Sequence, residues 1–349
     1  MSHKNLKNPF FRSLVDNSTT PMQKVFIARP IPEPALSLLK KQKNITVDVY
    51  EKDEIIPRKE LLKRIKGVDA VLPILTDRID KEFFDAAGPQ LKIVANYAIG
   101  FDNVDLKEAK KRGIIVTNTP VEEAAESVAE HTIGMLIVLA HRMIEADVYA
   151  RAEKYKGWSP NHFMGYDLRN KTLGLIGLGR IGKLVAEHAV QGLGMKVIYT
   201  DMKRDKDFEK QFGAKYLSKE KLLQTADAIS LHVPLLPSTK YLIDTAEFSQ
   251  MKKTALLINT SRGPVVREKA LLRALRTGRI GGAGLDVFEC EPTIDCDLTD
   301  KLELKSFKNV VLTPHTASAT IEARSAMSKM AAENIIAVLK GKPPLSPAK

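Results

Sequence analysis

Short apolar runs alternate with longer stretches of mixed polarity along most of this chain. We predict strands at residues 25–28, 45–50, 70–75, 92–95 and 114–117, and again at residues 172–176, 196–200, 228–231, 255–259, 282–286 and 309–312. Strands that alternate with helical patterns are typical of parallel α/β architecture. The pattern therefore predicts an α/β fold with two doubly wound, Rossmann-like parallel-sheet domains separated by a cleft.

Two helical patterns frame the second group of strands. Apolar residues recur at helical spacing from Val121 to about Ala152, directly after Pro120. A last helix is expected to run to about Lys340, with Ser318 as its cap.

This last helix is expected to end at Gly341 and to return the chain to the first domain. We therefore predict a substrate-binding domain of residues 22–120 plus 314–349 and a dinucleotide-binding domain of residues 121–313. Residues 1–21 are polar and are expected to form a flexible N-terminal extension.

A glycine fingerprint lies between the strand at residues 172–176 and a helical pattern. Gly177 permits a tight turn, Gly179 lets the backbone approach a pyrophosphate, and Gly182 lets helix and strand pack closely. Asp201 ends the next strand, where a carboxylate can accept hydrogen bonds from a ribose. Glycine turns alone are common, but the flanking strand, helix and acid favour a dinucleotide site. Its predicted contacts are Gly177, Leu178, Gly179, Arg180, Ile181, Gly182 and Asp201.

Composition narrows the class of protein. The 349 residues are 44% hydrophobic and 28% charged, as in a globular protein of about two domains. The net charge is +12, but Lys and Arg are scattered, so nucleic-acid binding is not expected. No apolar run reaches the roughly 18 residues of a membrane span, and residues 1–21 are not expected to act as a secretory signal because they lack its apolar core. Cys290 and Cys296 show no metal or disulfide pattern, so reduced thiols, no metal and a cytoplasmic location are expected.

Reactive side chains follow three of the later predicted strands. Arg262 follows one strand, Asp286 and Glu291 follow the next, and His315 follows the last. Ligands of open α/β sheets bind at the carboxyl ends of the strands. A guanidinium can hold a carboxylate with its planar fork, and an imidazolium can donate a proton. These residue types are therefore candidates for binding a carboxylate and for transferring a proton.

Together with the fingerprint and residues 96–102, these segments resemble the D-isomer-specific 2-hydroxyacid dehydrogenases over nearly all of residues 22–344. Residues 94–103 and 158–160 are most similar to the glyoxylate and hydroxypyruvate reductases. The resemblance implies that Arg262 binds substrate and polarises its carbonyl, that His315 is the proton donor and that Glu291 supports it. Glu289 competes for the role of Glu291, but the family places this acid directly before proline.

The resemblance also implies further contacts. Cofactor contacts are expected at Thr132, Val233, Pro234, Thr260, Ser261, Asp286 and Ala317, and substrate contacts at Leu75, Ile99, Gly100, Arg262 and Trp158. The family often has Gly where this chain has Ala317, and the added methyl predicts tighter packing at the nicotinamide. Relatives associate through their nucleotide domains, which implies a homodimer in which Trp158 reaches the neighbouring active site.

The leading hypothesis is the NAD-dependent reduction of glyoxylate or hydroxypyruvate to the D-2-hydroxy acid. A short D-3-phosphoglycerate or D-lactate dehydrogenase remains an alternative, and so does a non-enzymatic NAD-sensing scaffold similar to the corepressors that share this fold. A formate dehydrogenase is disfavoured, because those relatives pair the histidine with Gln. NADH is expected over NADPH because Asp201 would repel a 2′-phosphate, although Lys203 and Arg204 oppose this preference.

Overall fold

The computed structural model describes residues 21–291 and 303–348. Its strands are β1 (Gln23–Ile27), β2 (Ile45–Val49), β3 (Ala70–Leu72), β4 (Ile93–Ala95), β5 (Ile115–Thr117), β6 (Thr172–Ile176), β7 (Lys196–Thr200), β8 (Lys215–Tyr216), β9 (Ala228–Leu231), β10 (Leu256–Asn259), β11 (Gly282–Leu285) and β12 (Val310–Leu312). The predicted N-terminal extension lies outside the described residues, apart from Pro21.

The helices connect these strands. They are α1 (Ala35–Lys40), α2 (Arg58–Arg64), α3 (Lys81–Ala87), α4 (Leu106–Lys111), α5 (Glu122–Ala140), α6 (Met143–Arg151), α7 (Arg180–Glu187), α8 (Lys206–Phe212), α9 (Lys219–Thr225), α10 (Thr245–Gln250), α11 (Glu268–Arg276) and α12 (Ile321–Leu339). A turn of π-helix at His188–Gly192 follows α7. None of the helices in the described ranges is long and apolar enough to cross a membrane.

The first sheet has five parallel strands in the order β2-β1-β3-β4-β5. Alternate residues of these strands enter two apolar clusters, one on each face. Val25 and Ile27 face one cluster, whereas Phe26 faces the other. Burying such a side chain contributes about 1.5–3 kcal/mol relative to leaving it exposed, so both faces require helices.

The second sheet has seven parallel strands in the order β12-β11-β10-β9-β6-β7-β8. The strand order reverses between β6 and β9, and the carboxyl ends of these two strands open a crevice. Gly177 follows β6 and His232 follows β9 at this point. The predicted α/β class with two doubly wound parallel sheets is confirmed.

The chain passes twice between the sheets, from β5 into α5 and from β12 into α12. Helix α12 packs against the first sheet, where Ala323, Met327 and Ala331 join the cluster of Val25 and Ile27. Helix α5 packs against the second sheet through Met135 and Leu136. The predicted domain limits, including the return of the chain to the first domain after residue 313, stay a prediction.

Two helix predictions were wrong in detail. The helix predicted from Val121 to Ala152 is broken between α5 and α6, where Arg142 has a φ of +53°. The amide of Tyr166 donates to the carbonyl of Ala140 at 2.9 Å, so a tertiary contact takes the oxygen that the next helical turn would use. The cap of α12 is Thr320, whose hydroxyl accepts from the amide of Ala323 at 3.2 Å, and not Ser318.

The thiol prediction was also wrong. Cys290 is disulfide-bonded, although the sequence pattern predicts a reduced thiol. The other cysteine, Cys296, lies outside the described residues. Spacing patterns indicate metal sites and frameworks of several disulfides, and two cysteines alone give no such pattern.

Candidate active site

A cleft of about 790 Å³ lies where the carboxyl ends of the two sheets face each other. Its walls come from the loops that follow β3 and β4 in the first sheet and β9, β10 and β12 in the second. The predicted site residues that line it are Leu75, Ile99, Gly100, Ile181, Val233, Pro234, Thr260, Ser261, Arg262, Asp286, His315 and Ala317. Both sheets therefore contribute predicted contacts to one cavity.

The three fingerprint glycines lie in three different environments. A Cβ on Gly177 would lie 2.5 Å from the carbonyl oxygen of His232, and Gly177 has a φ of +97°. A Cβ on Gly182 would lie 2.4 Å from the oxygen of Gly177, which is the close packing of helix and strand. Gly179 faces open space at the N-terminus of α7. This turn, with an open backbone edge at a helix N-terminus, fits a dinucleotide pyrophosphate.

Asp201 lies beside this turn. One carboxylate oxygen accepts from the amide of Leu178 at 2.6 Å, and the other accepts from the amide of Met202 at 2.6 Å. These two bonds therefore fix the negative charge of Asp201 at the end of β7. Arg180 extends instead to the crossing between the sheets, where its Nη1 donates to the carbonyl of Pro120 at 2.5 Å.

Arg262 enters the cleft from the loop after β10. Its own carbonyl accepts from Asn259 Nδ2 at 2.9 Å, and the Asn259 side-chain oxygen accepts from the amide and hydroxyl of Ser261 at 3.1 and 2.8 Å. The guanidinium donates through Nη1 to the carbonyl of Ser261 at 2.7 Å and through Nε to the carboxylate of Asp102. The loop therefore holds Arg262 at its backbone and at its side chain.

The loop after β4 presents backbone amides to the same place. The carbonyl of Ile99 accepts from Asn118 Nδ2 at 2.6 Å, and the carbonyl of Gly100 accepts from Asn96 Nδ2 at 3.1 Å. The amides of Ile99 and Gly100 donate to no acceptor in the described part of the chain. The two asparagines therefore hold the carbonyls of this loop, and its two N–H groups remain available to bind an anion beside Arg262.

His315 and Glu291 form a direct pair. The Nδ1 atom of His315 lies 2.5 Å from Glu291 Oε2, and the other oxygen of Glu291 accepts from the amide of Phe288 at 3.2 Å. The pair fixes the orientation of the imidazole ring. Because Nδ1 is engaged, Nε2 is the ring nitrogen left for the cleft that His315 lines.

Glu289 has a different environment. Its carboxylate accepts from the hydroxyl of Tyr241 at 2.5 Å and from the amide of Glu268 at 2.9 Å. These bonds connect the loop after β11 to α11. Of the two acids that competed for the place beside His315, Glu291 occupies it.

Asp286 holds the segment that carries His315. Its carboxylate accepts from the Thr313 hydroxyl at 2.6 Å and from the amides of Thr316 and Ala317 at 2.8 and 2.9 Å, and its carbonyl accepts from the His315 amide at 2.8 Å. His315 has a φ of +55°, which costs about 1–3 kcal/mol for a residue with a side chain. The bonds from Asp286 offset this cost and fix the histidine.

A second histidine lines the cleft with different chemistry. The Nε2 atom of His232 lies 2.8 Å from the Ser230 hydroxyl. Desolvation lowers the pKa of His232 to about 3, so this ring stays neutral near pH 7. His315 is therefore the better candidate for a proton donor.

Outside the glycine fingerprint and Asp201, which adjoin the cleft and of which only Ile181 lines it, two predicted contacts do not line the cleft. Thr132 is buried, and its hydroxyl lies 2.9 Å from the hydroxyl of Thr260, so it adjoins the cleft through that residue. Trp158 is 83% exposed and does not line the cleft of its own chain. Its predicted contact with a neighbouring subunit stays a prediction.

Sequence reasoning did not assign roles to Asn96, Asp102 or Asn118. Asn96 and Asp102 lie within the segment that carried the family resemblance, so the signal was present without a function attached to it. Asn118 lies at the first crossing and orients a peptide 19 positions earlier in the chain. In the described residues, no group of three or more His, Cys, Asp and Glu side chains forms a candidate metal site.

Comparisons with known proteins agree with this geometry. Residues 133–317 match the model of the D-isomer specific 2-hydroxyacid dehydrogenase NAD binding domain. The chain is 49% identical to a glyoxylate reductase of Korarchaeum cryptofilum over 92% of this chain and 94% of that protein. The TT0316 protein of Thermus thermophilus superposes with a TM-score of 0.86 at 39% identity, covering 94% of this chain and 100% of that one.

A fourth comparison contains ligands. The D-lactate dehydrogenase of Aquifex aeolicus complexed with NAD and lactic acid has a TM-score of 0.79 at 31% identity, over 91% of this chain and 96% of that one. The fold and the cleft define an NAD-binding oxidoreductase of 2-oxo and 2-hydroxy acids. The chain belongs to the D-isomer-specific 2-hydroxyacid dehydrogenase family.

Proposed function

We propose that this enzyme reduces glyoxylate or hydroxypyruvate to the D-2-hydroxy acid with NADH. The observation that carries the proposal is one cleft in which Arg262 and the amides of Ile99 and Gly100 adjoin the His315–Glu291 pair. The curated relatives named glyoxylate reductase support this choice of substrate.

Each side chain has a distinct task in this proposal. The substrate carboxylate binds the amides of Ile99 and Gly100 and the Arg262 guanidinium, which also polarises the ketone. Protonated His315 gives its Nε2 proton to the carbonyl oxygen, and Glu291 holds the ring through Nδ1. Bound NADH supplies the hydride for the carbonyl carbon.

We also propose a preference for NADH over NADPH. The carboxylate of Asp201, fixed beside the fingerprint, suits ribose hydroxyl donors and would repel a 2′-phosphate. Arg204 is engaged by Glu209 through two hydrogen bonds of 2.8 and 2.7 Å, which directs it to α8. A kcat/KM ratio that favours NADPH would contradict this preference, and Asp201→Ser is expected to move the ratio toward NADPH.

The substrate is tested with a panel of glyoxylate, hydroxypyruvate, pyruvate and phosphohydroxypyruvate at saturating NADH. We expect the highest kcat/KM with glyoxylate or hydroxypyruvate. Preference for pyruvate or the phosphorylated acid would favour the D-lactate or D-3-phosphoglycerate alternative.

His315→Ala is expected to lose on the order of 100- to 10,000-fold in kcat while NADH binding is retained, since only the proton donor is removed.

We further propose that the enzyme is a homodimer. The segment from α6 to Tyr166 exposes several apolar side chains: Met143, Ile144, Val148, Tyr155, Trp158, Met164 and Tyr166. Tyr149 packs against the rings of His162 and Phe163, which gives this segment a defined shape. A shaped apolar surface on the nucleotide side of the molecule is what a partner subunit would cover.

A further inference from the structure

One ion pair crosses the cleft at the reaction site. Arg262 follows β10 of the second sheet, Asp102 follows β4 of the first, and Arg262 Nε donates to Asp102 Oδ2. The two side chains are 24% and 31% exposed. The pair is thus partly exposed to solvent, and it connects the two walls of the cleft.

The guanidinium has a different neighbour at each nitrogen. Nε is bound to Asp102, and Nη1 is bound to the carbonyl of Ser261 at 2.7 Å. Nη2 has no acceptor in the described ranges, and it lies only 1.7 Å from the position that a Cβ on Gly100 would take. The nitrogen without an acceptor is therefore the one that lies against Gly100.

We propose that Asp102 is a positioning residue, which holds the Arg262 guanidinium across the cleft so that Nη2 meets the carboxylate of the 2-oxo acid. The proposal rests on the proposed function of the cleft. Arginine has several rotatable bonds, and a charge-assisted bond at Nε reduces the freedom that substrate binding would otherwise have to remove.

The opposite role for Asp102 is competition. Its carboxylate could occupy the guanidinium in place of substrate, and removing it would then lower KM. The geometry points to positioning, because Asp102 uses Nε and leaves Nη2 to the amide pair. An arginine fork has five donors and can serve both carboxylates at once.

The test is a double-mutant cycle of Asp102→Asn and Arg262→Lys, read as kcat and KM for glyoxylate at saturating NADH. We expect Asp102→Asn alone to raise KM, lower kcat and reduce kcat/KM about 10- to 100-fold. In the Arg262→Lys background, which has no fork to orient, the same change is expected to cost less than twofold. The NADH dissociation constant is expected to stay within twofold of the wild-type value.

The control is Asp53→Asn, because Asp53 lies in the same domain in an exposed pair with Arg29. It removes the same charge and is expected to leave kcat/KM unchanged. An Asp102→Asn enzyme with lower KM, with unchanged kinetics, or with the same loss in both backgrounds would overturn the positioning role.

A binding measurement separates this proposal from the choice of substrate. Oxamate, an unreactive analogue of a 2-oxo acid, is titrated into the enzyme–NADH complex by calorimetry. If the wild type does not reduce glyoxylate but Asp102→Asn still weakens oxamate binding about tenfold or more, the proposed substrate fails and the positioning role stands. If wild-type enzyme reduces glyoxylate and Asp102→Asn binds oxamate normally, the positioning role fails alone. A wild type that neither reduces glyoxylate nor binds oxamate overturns both.

Discussion

At the scale of single residues, the neighbouring acids Glu289 and Glu291 show how position decides chemistry. Glu291 contacts the catalytic candidate His315, whereas Glu289 connects Tyr241 to the amide of Glu268. The two residues are the same amino acid two positions apart. Their variants therefore form a matched pair of experiments.

Glu291→Gln is expected to lower kcat for reduction, though less than His315→Ala does, because the imidazole ring loses the charged partner that holds it through Nδ1. Steady-state kcat for glyoxylate at saturating NADH measures the effect. Glu289→Gln is expected to keep the wild-type kcat, because Glu289 contacts Tyr241 and Glu268 instead. An equal loss in both variants would count against the assignment of Glu291.

The buried carboxyl group of Asp77 is expected to make the stability of the folded protein depend on pH, apart from any effect on catalysis. It is 3% exposed, it accepts from the amide of Ile74 at 2.9 Å, and burial raises its pKa from 3.8 to about 6. The folded state then binds the proton more tightly than the unfolded state does. The free energy of unfolding is therefore expected to fall as pH rises from about 4 to 6.

Asp77→Asn is expected to remove this loss of stability with rising pH. The side-chain oxygen of the introduced asparagine can still accept from the amide of Ile74, and an asparagine side chain does not ionise. Stability near pH 7 should rise by on the order of 1–3 kcal/mol. Urea unfolding at several pH values measures the effect, with the exposed Asp53→Asn as the control. Identical pH slopes for wild type and Asp77→Asn would refute the account.

At the scale of elements, the strand predictions were most accurate where a strand is buried on both faces. Strands β6 and β7 begin and end where the sequence predicts, because their apolar runs are bounded by Gly177 and Asp201. The third strand was predicted to residue 75 but ends at Leu72, since Pro73 has no N–H for the ladder. Strand β8 (Lys215–Tyr216) was missed because both of its residues are exposed.

The break after α5 could not be predicted, because it depends on a hydrogen bond from Tyr166, a residue far along the chain. In the same way, the strand ends led to Arg262, Glu291 and His315 as candidate catalytic side chains, but not to the partner of Arg262. Asp102 is separated from Arg262 by 160 positions, so the local sequence around either residue does not predict that contact.

The cap of α12 provides a test at this scale. Thr320→Ala is expected to lower the free energy of unfolding by about 0.5–2 kcal/mol, because the amide of Ala323 loses its acceptor. Ser318→Ala is the matched control and is expected to change stability by less than about 0.5 kcal/mol. Equal losses in thermal or urea unfolding would contradict the observed cap.

At the scale of the whole molecule, the exposed segment after α5 predicts association. We expect a dimer by sedimentation at micromolar concentration, and we expect Val148→Glu to shift it toward monomer by placing a charge in an apolar interface. Ile321→Glu is the control, because Ile321 is also exposed but lies at the start of α12. A wild-type monomer would contradict the proposed assembly.

The bonds that Asp286 makes to residues 313–317 have a consequence for the design of new substrate ranges. They connect His315 to the second sheet, from whose strand ends Arg262 and Glu291 also extend. The first sheet contributes mainly the walls and amides that surround the substrate. An exchange of that sheet with the sheet of a related enzyme is therefore expected to alter which acids are accepted while the proton-donating machinery is inherited intact, provided that the incoming loop retains an acid at position 102.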